Sequence, residues 1–299
     1  MRFPSPGARA WQYLKRVPKT SPTVVVLTAL PEEYDAVRAH LDDDVEELVH
    51  EDGTRVERGR LAGTDWTLAV AELGEGAVNA SALTTQILGW LRPEAVLFVG
   101  VAGSLKADVA IGDVVVGTKV YAVQGGKVTP SGFHARPEVW HGSNRLVQAA
   151  RSALRGLDGV RGHLKPIACG DVVLTDDRSA FAEFIKRHYN DANAIEMEGA
   201  GAVHAAHVSG QLDALVIRGI SDRADAGKST ADAGGSQERA AAQAAAVAVG
   251  VLRKHRPRGA SGGSSSGSKE GPQYGGDHID FRGGVFNRPV IGKRVDRER

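Results

Sequence analysis

The chain has 299 residues, 42% of them apolar, which is enough for one large α/β core with tails. It contains no apolar run of about eighteen residues and no secretory-type leader, which excludes a helical membrane span and points to a cytoplasmic protein. The net charge of +1 hides an asymmetry: five basic residues and no acids in residues 1–20, eleven basic against five acidic in 253–299, and 21 basic against 31 acidic between them, so the body has the wrong sign for nucleic-acid phosphates.

Residues 1–20, rich in Arg, Lys and Pro, read as a flexible basic leader to a domain spanning 21–255. Thr23 to Leu30 is a continuous apolar, β-branched run, the mark of a strand buried on both faces. Pro31-Glu32-Glu33 then signals a helix to about Leu41, with Pro and acids in its first turn. Glu32 and Glu33 either cap that helix or line a cleft at the carboxyl end of the strand. Asp42-Asp43-Asp44 with Glu46-Glu47 reads as an acidic turn. A hairpin-like pair, Gly53 to Glu72, leads to Gly74-Glu75-Gly76-Ala77-Val78-Asn79-Ala80, a glycine turn opening a helix to Leu91. It lacks the third glycine and the following acid of a dinucleotide fingerprint.

Ala95 to Val99 is a second buried strand, ending in the small residues Val101, Ala102, Gly103 and Ser104, which keep space open beside a ligand. Asp113 to Thr118 is a third. Residues 124–140 are too polar and glycine-rich for a regular element and read as a lid-like loop. A helix from Ser143 to Leu154 precedes a glycine-interrupted strand, Ile167 to Leu174, which holds the single cysteine. Cys169 excludes an intrachain disulfide and a cysteine-based zinc cluster, and reads as small buried filler. After a helix over 178–188 comes Asn193 to Gly201, where Glu196 and Glu198 flank Met197. Two apart, the carboxylates share a face in extended chain, as a surface pair or as chemistry. Leu215 to Ile220 is the last buried strand and delivers Ser221-Asp222. An alanine-rich helix from about Gln237 to Lys254 closes the body. Residues 256–276 have the Gly/Ser composition of a linker, and the tail, 277–299, is too short to fold alone; it either adds a strand to a partner protein or stays disordered.

Five segments in this order, Ala29 to Glu33, Gly74 to Ala80, Val101 to Leu105 with Ile111 to Val115, Glu196-Met197-Glu198, and Arg218 to Asp222, resemble the purine nucleoside phosphorylase and nucleosidase superfamily over about residues 23–252. Within it the likeness is to the 5′-methylthioadenosine/S-adenosylhomocysteine nucleosidases. The resemblance implies a three-layer α/β/α sandwich around a mostly parallel mixed sheet. It also implies N-glycosidic hydrolysis of a small-molecule purine nucleoside, without metal or cofactor. In that pattern Asp222 is the general acid at the purine N7 and Ser221 orients it. Glu198 and Met197 hold the ribose hydroxyls, Glu196 is a pocket-edge helper or a structural acid, and Glu33 positions and deprotonates water. Val101, Ala102 and Gly103 line the site, and the strand residues Val172 and Val173 line the adenine pocket. The family often has serine at Val101 and an aromatic near Val172, so this chain departs there.

An alternative substrate within the same chemistry is a nucleotide such as ATP. Arg223, Lys228, Arg136 and Arg178, with Lys127 and His134, are candidate contacts to phosphates on the 5′ side, or else balance the acidic body. The tail around His278-Ile279-Asp280-Phe281 resembles short C-terminal segments of bacterial multi-component conflict systems. The resemblance implies that phosphorylase relatives hold inorganic phosphate with an arginine in the segment matching Thr28 to Glu33; this chain has two acids there and no arginine, which implies water rather than phosphate as nucleophile. A non-catalytic nucleoside-sensing module is a third reading, which the retained acids oppose. The family resemblance further implies a homodimer.

Overall fold

A computed structural model describes residues 22–210 and 212–257. The chain divides into two units, 1–260 and 261–299, and the described residues all belong to the first. The leader, most of the linker and the tail fall outside the described residues.

In chain order the elements are β1 (Thr23–Thr28), α1 (Pro31–Arg38), β2 (Glu46–Val49), β3 (Arg55–Arg60), β4 (Thr67–Glu72), α2 (Ala77–Leu91) and β5 (Ala95–Ser104). Then come β6 (Val114–Ala122), β7 (Gly126–Thr129), β8 (Gly132–Ala135), β9 (Glu138–His141), α3 (Asn144–Leu154), β10 (Gly162–Cys169) and α4 (Ala180–His188). The last elements are β11 (Ala194–Glu196), α5 (Gly199–Val208), β12 (Asp213–Asp222), α6 (Lys228–Ala233) and α7 (Ser236–Lys254).

Ten of the described strands form one mixed sheet in the order β11-β10-β6-β12-β5-β1-β4-β3-β2, with β9 paired to β6 off this path, while β7 and β8 form a separate two-stranded sheet. β1 runs parallel to β4 and β5, and β5 parallel to β12. β11 also pairs antiparallel with β5, so one side of the sheet curls back on itself. Period-two alternation in β1 sends Val25 and Leu27 to one face and Val24 and Val26 to the other. On the first face they meet Ala80 and Ile87 of α2 and Ala202 and Ala206 of α5. On the second they meet Val37 of α1, Leu146 of α3 and Ala244 and Val251 of α7. A sheet covered on both faces needs strands without polar alternation, which is why these runs are continuously apolar. α7 sits close enough to β12 that a Cβ at Gly219 would overlap the Ala240 carbonyl. No described helix is long and apolar enough to cross a membrane.

Three sequence expectations are corrected. Glu46-Glu47 belong to an edge strand, β2, where cross-strand pairing with Arg58 and Arg55 of β3 offsets their charge. The segment expected to be an irregular loop folds into the hairpin β7–β8 and the strand β9. Gly132, at φ 115°, permits the tight return, and Gly126 leaves room for the Phe133 ring. Val172 and Val173 are not strand residues. Cys169 faces the last residue of both its neighbours, Glu196 of β11 and Ala122 of β6, so β10 has no ladder left to extend beyond Cys169.

Candidate active site

The carboxyl ends of β1, β5, β11 and β12 open into one cleft. It is lined by Glu33, Val101, Ala102 and Gly103, by Val172, Val173, Glu196, Met197 and Glu198, and by Ser221, Asp222 and Lys228. Residues far apart in sequence meet here because β1, β5 and β12 run parallel and deliver their C-terminal residues to one edge, where β11, antiparallel to β5, curls in beside Gly103 and Ser104. Val172 and Val173 reach the cleft from the loop after β10, and their side chains are 42% and 53% exposed.

Glu33 both caps a helix and lines the cleft, so the two sequence readings are not exclusive. Its Oε2 accepts from the N–H groups of Ala29 and Leu30 at 2.7 and 3.1 Å, fixing the start of α1, and its Oε1 accepts from Val101 N at 2.7 Å. Burial raises its pKa, against the pull of Arg218 and of these three N–H donors. Gly100 makes the approach feasible, since a Cβ there would overlap both Glu33 and Arg218.

Glu196 and Glu198 part company at the end of β11. Glu196 turns inward: its Oε2 accepts from Glu198 N at 3.1 Å and Gly199 N at 2.7 Å and pairs with Arg218. Glu198, at the start of α5, accepts from Gly76 N at 3.1 Å, and Gly76 holds φ 96°, a conformation that favours glycine. Burial, opposed by Arg218 and aided by the carboxylates of Glu196 and Glu33, raises Glu198 from 4.5 to about 7.

Arg218 is the residue that the sequence reading passed over. It is fully buried, stands 3.8 Å from Glu33 Oε1 and 3.6 Å from Glu198 Oε2, contacts Glu196, and lies 4.2 Å over the Phe98 ring. The three carboxylates together outweigh burial and raise its pKa. A lone charge inside the apolar run Leu215 to Ile220 was the available signal, because a buried cation requires buried anions. Three carboxyls thus share one guanidinium under the cleft.

Asp222 ends β12, 3% exposed. Its Oδ2 accepts from Ser221 Oγ at 2.9 Å and Lys228 Nζ at 3.0 Å, and its Oδ1 from Ala224 N at 2.8 Å. Gly103 is again a close approach, as a Cβ there would stand 2.8 Å from Asp222 Oδ1. Of the basic residues considered for phosphate, only Lys228 lines this cleft. Arg223 lines a neighbouring cavity with Lys106 and Lys186, while Arg136 and Arg178 are exposed and line neither. Lys127 and His134 sit on the exposed β7–β8 hairpin. Cys169 is buried, with Sγ accepting from Ala200 N, and burial followed by Glu196 pushes its thiol well above the ordinary range, as befits inert filler. Among the described residues no group of three His, Cys, Asp or Glu side chains is placed to hold a metal.

The sequence profile of the phosphorylase superfamily matches residues 23–253. A 5′-methylthioadenosine/S-adenosylhomocysteine nucleosidase of Chromohalobacter salexigens is 27% identical over 208 residues, covering 67% of this chain and 83% of its own length. An ATP nucleosidase of Escherichia coli, Cap17, is 29% identical over 255 residues, 71% of this chain but only 48% of that protein. Among solved structures, the methylthioadenosine/S-adenosylhomocysteine nucleosidase of S. pneumoniae with a transition-state inhibitor superposes with a TM-score of 0.68 at 28% identity, over 77% of this chain and 98% of that one.

Proposed function

Because this chain belongs to the phosphorylase superfamily, we propose that its cleft hydrolyses the N-glycosidic bond of a purine nucleoside, releasing adenine from methylthioadenosine or S-adenosylhomocysteine. The observation that carries this reading is the convergence of Asp222, Glu33 and Glu198 from three distant segments on one cleft. The C1′–N9 bond breaks with its electron pair passing to the base, and Asp222 relays a proton from solvent to N7. Ser221 and Ala224 N aim the Asp222 carboxyl. Glu198, with Met197, holds the ribose hydroxyls. Glu33 takes the proton of the attacking water, and its burial raises its affinity for that proton. Those of the carboxyls beneath the cleft that are ionised favour the oxocarbenium-like sugar of the transition state. Val101, Ala102 and Gly103 wall the pocket, and Val172 and Val173 cover the base.

Water rather than phosphate is the nucleophile, since an anion entering beside Glu33 meets three carboxylates whose one buried arginine is already shared among them. A nucleotide is the second reading of the substrate, favoured by the similarity to an ATP nucleosidase. On that reading Lys228, Arg223, Arg136 and Arg178 contact phosphate directly or after rearrangement. The protein works in the cytoplasm as a homodimer, with a catalytic domain over 21–255 and a C-terminal tail, 277–299, that recruits a protein partner.

Incubation with methylthioadenosine, S-adenosylhomocysteine and ATP, followed by chromatography for free adenine, tests the proposal. Adenine from either nucleoside without added phosphate is expected. Adenine from ATP alone moves the substrate to the nucleotide, dependence on phosphate makes the enzyme a phosphorylase, and no adenine from any of the three sinks the hydrolase. Asp222→Asn is expected to lower kcat by about 10²–10⁴ with the fold intact.

A further inference from the structure

The structure assigns Lys228 as a positioning residue for Asp222, an inference that rests on Asp222 being the proton donor proposed above. Lys228 Nζ lies 3.0 Å from Asp222 Oδ2 and 3.3 Å from Asp232 Oδ2, one helical turn along α6. An ammonium has three donors and little directional preference of its own, so two carboxylates on different elements are what fix its place. α6 contributes no buried residue, and apolar packing therefore does little to seat it against the end of β12. The Asp222–Lys228–Asp232 bridge ties that short helix to the cleft.

The consequence for Asp222 follows from its contacts. Oδ1 is held by Ala224 N, which belongs to the same loop. Oδ2 has two donors, the Ser221 hydroxyl and Lys228. Ser221 is the adjacent residue, and its Oγ is also within 3.5 Å of the Ala102 carbonyl, so its single proton has two acceptors. Among the described residues Lys228 is thus the one donor to this carboxyl from outside its own loop, and it opposes rotation of the carboxyl plane about the side-chain axis. A proton donor must face its acceptor within hydrogen-bond reach, and a misplacement of about 1 Å costs on the order of a hundredfold in rate. Lys228 acts on the reaction through the orientation of Asp222, without touching the base.

The test is a double-mutant cycle in the full-length protein, with kcat and KM measured separately on whichever substrate releases adenine. Lys228→Met is expected to lower kcat by about ten- to a hundredfold with KM within about twofold, and Lys228→Arg to recover most of that loss. In the Asp222→Asn background Lys228→Met is expected to cost nothing further, because the oriented group is gone. Asp232→Asn, which removes the second anchor and leaves the ammonium on Asp222, is expected to give a smaller loss of the same kind. The inference is overturned if Lys228→Met leaves kcat unchanged, if it raises KM alone, which makes Lys228 a substrate contact, or if its effect adds in full to that of Asp222→Asn. Wild-type turnover by Asp222→Asn refutes the proton-donor reading instead, so the two failures are distinguishable. Thermal melts of each variant separate a loss of fold from a loss of rate.

Discussion

Replacing Glu198 by Gln is expected to stabilise the protein while damaging its activity, and the gain should depend on pH. Glu198 is buried and its pKa rises from 4.5 to about 7, with burial as the largest cause. A carboxyl whose folded pKa lies above its unfolded value binds protons more tightly when folded. Its favourable contribution is present below pH 4.5, declines as pH rises, and is gone above about 7. At about 1.4 kcal/mol per unit, holding the charged form in the fold above pH 7 costs about 3 kcal/mol. Glutamine keeps an oxygen for the Gly76 N–H and has no charge to bury. For a domain of this size each kcal/mol moves Tm by about 2–4 °C. Glu198→Gln should therefore melt roughly 6–12 °C above wild type at pH 8 and close to it at pH 5. Differential scanning calorimetry of both proteins at the two pH values measures this. A Tm difference that is the same at both, or a variant less stable at pH 8, refutes the burial argument. In the same variant KM is expected to rise as the sugar ligand is lost, and unchanged kinetics would remove Glu198 from sugar recognition.

Arg218→Met leaves Glu33, Glu196 and Glu198 without their shared cation, and a loss of about 3–5 kcal/mol is expected in denaturant unfolding at pH 7; a loss below about 1 kcal/mol would mean that the carboxylates do not depend on it. Gly100→Ala puts a methyl where Glu33 and Arg218 lie, so hydrolysis should fall sharply while Gly89→Ala, on the exposed side of α2 with open space around it, spares turnover; equal activity in the two would contradict the close approach. Val173→Phe adds an aromatic face at the cleft edge and should lower KM by about two- to tenfold through stacking on the base, read from initial rates; an unchanged KM places the base elsewhere.

Much of the fold was legible because buried parallel strands carry their own signature. Thr23 to Thr28, Ala95 to Val99 and Leu215 to Ile220 are apolar without alternation, and only strands covered on both faces need that. The hairpin β7–β8 was not legible. Its residues are polar and exposed, and its regularity comes from backbone pairing and from Gly126 and Gly132, which also suit an irregular loop. The end of β10 was equally hidden, since Val172 and Val173 are β-branched and the ladder ends at Cys169 because both neighbours, β11 and β6, end opposite it.

The sequence by itself determined which acids were available and in what order, because a motif is a local pattern that spacing records. It could not decide how Glu196 and Glu198 divide their work. Two residues apart they look alike, and only the turn from β11 into α5 sends Glu196 inward to Arg218 and leaves Glu198 on the cleft with Gly76. Nor could it pair Lys228 with Asp222 or Arg218 with Glu33, since ion pairs across elements depend on distances that the chain acquires only when the sheet brings its carboxyl ends together. Residue types set the chemistry that is possible, and tertiary structure selects among the partners by burying some charges together and leaving others in water.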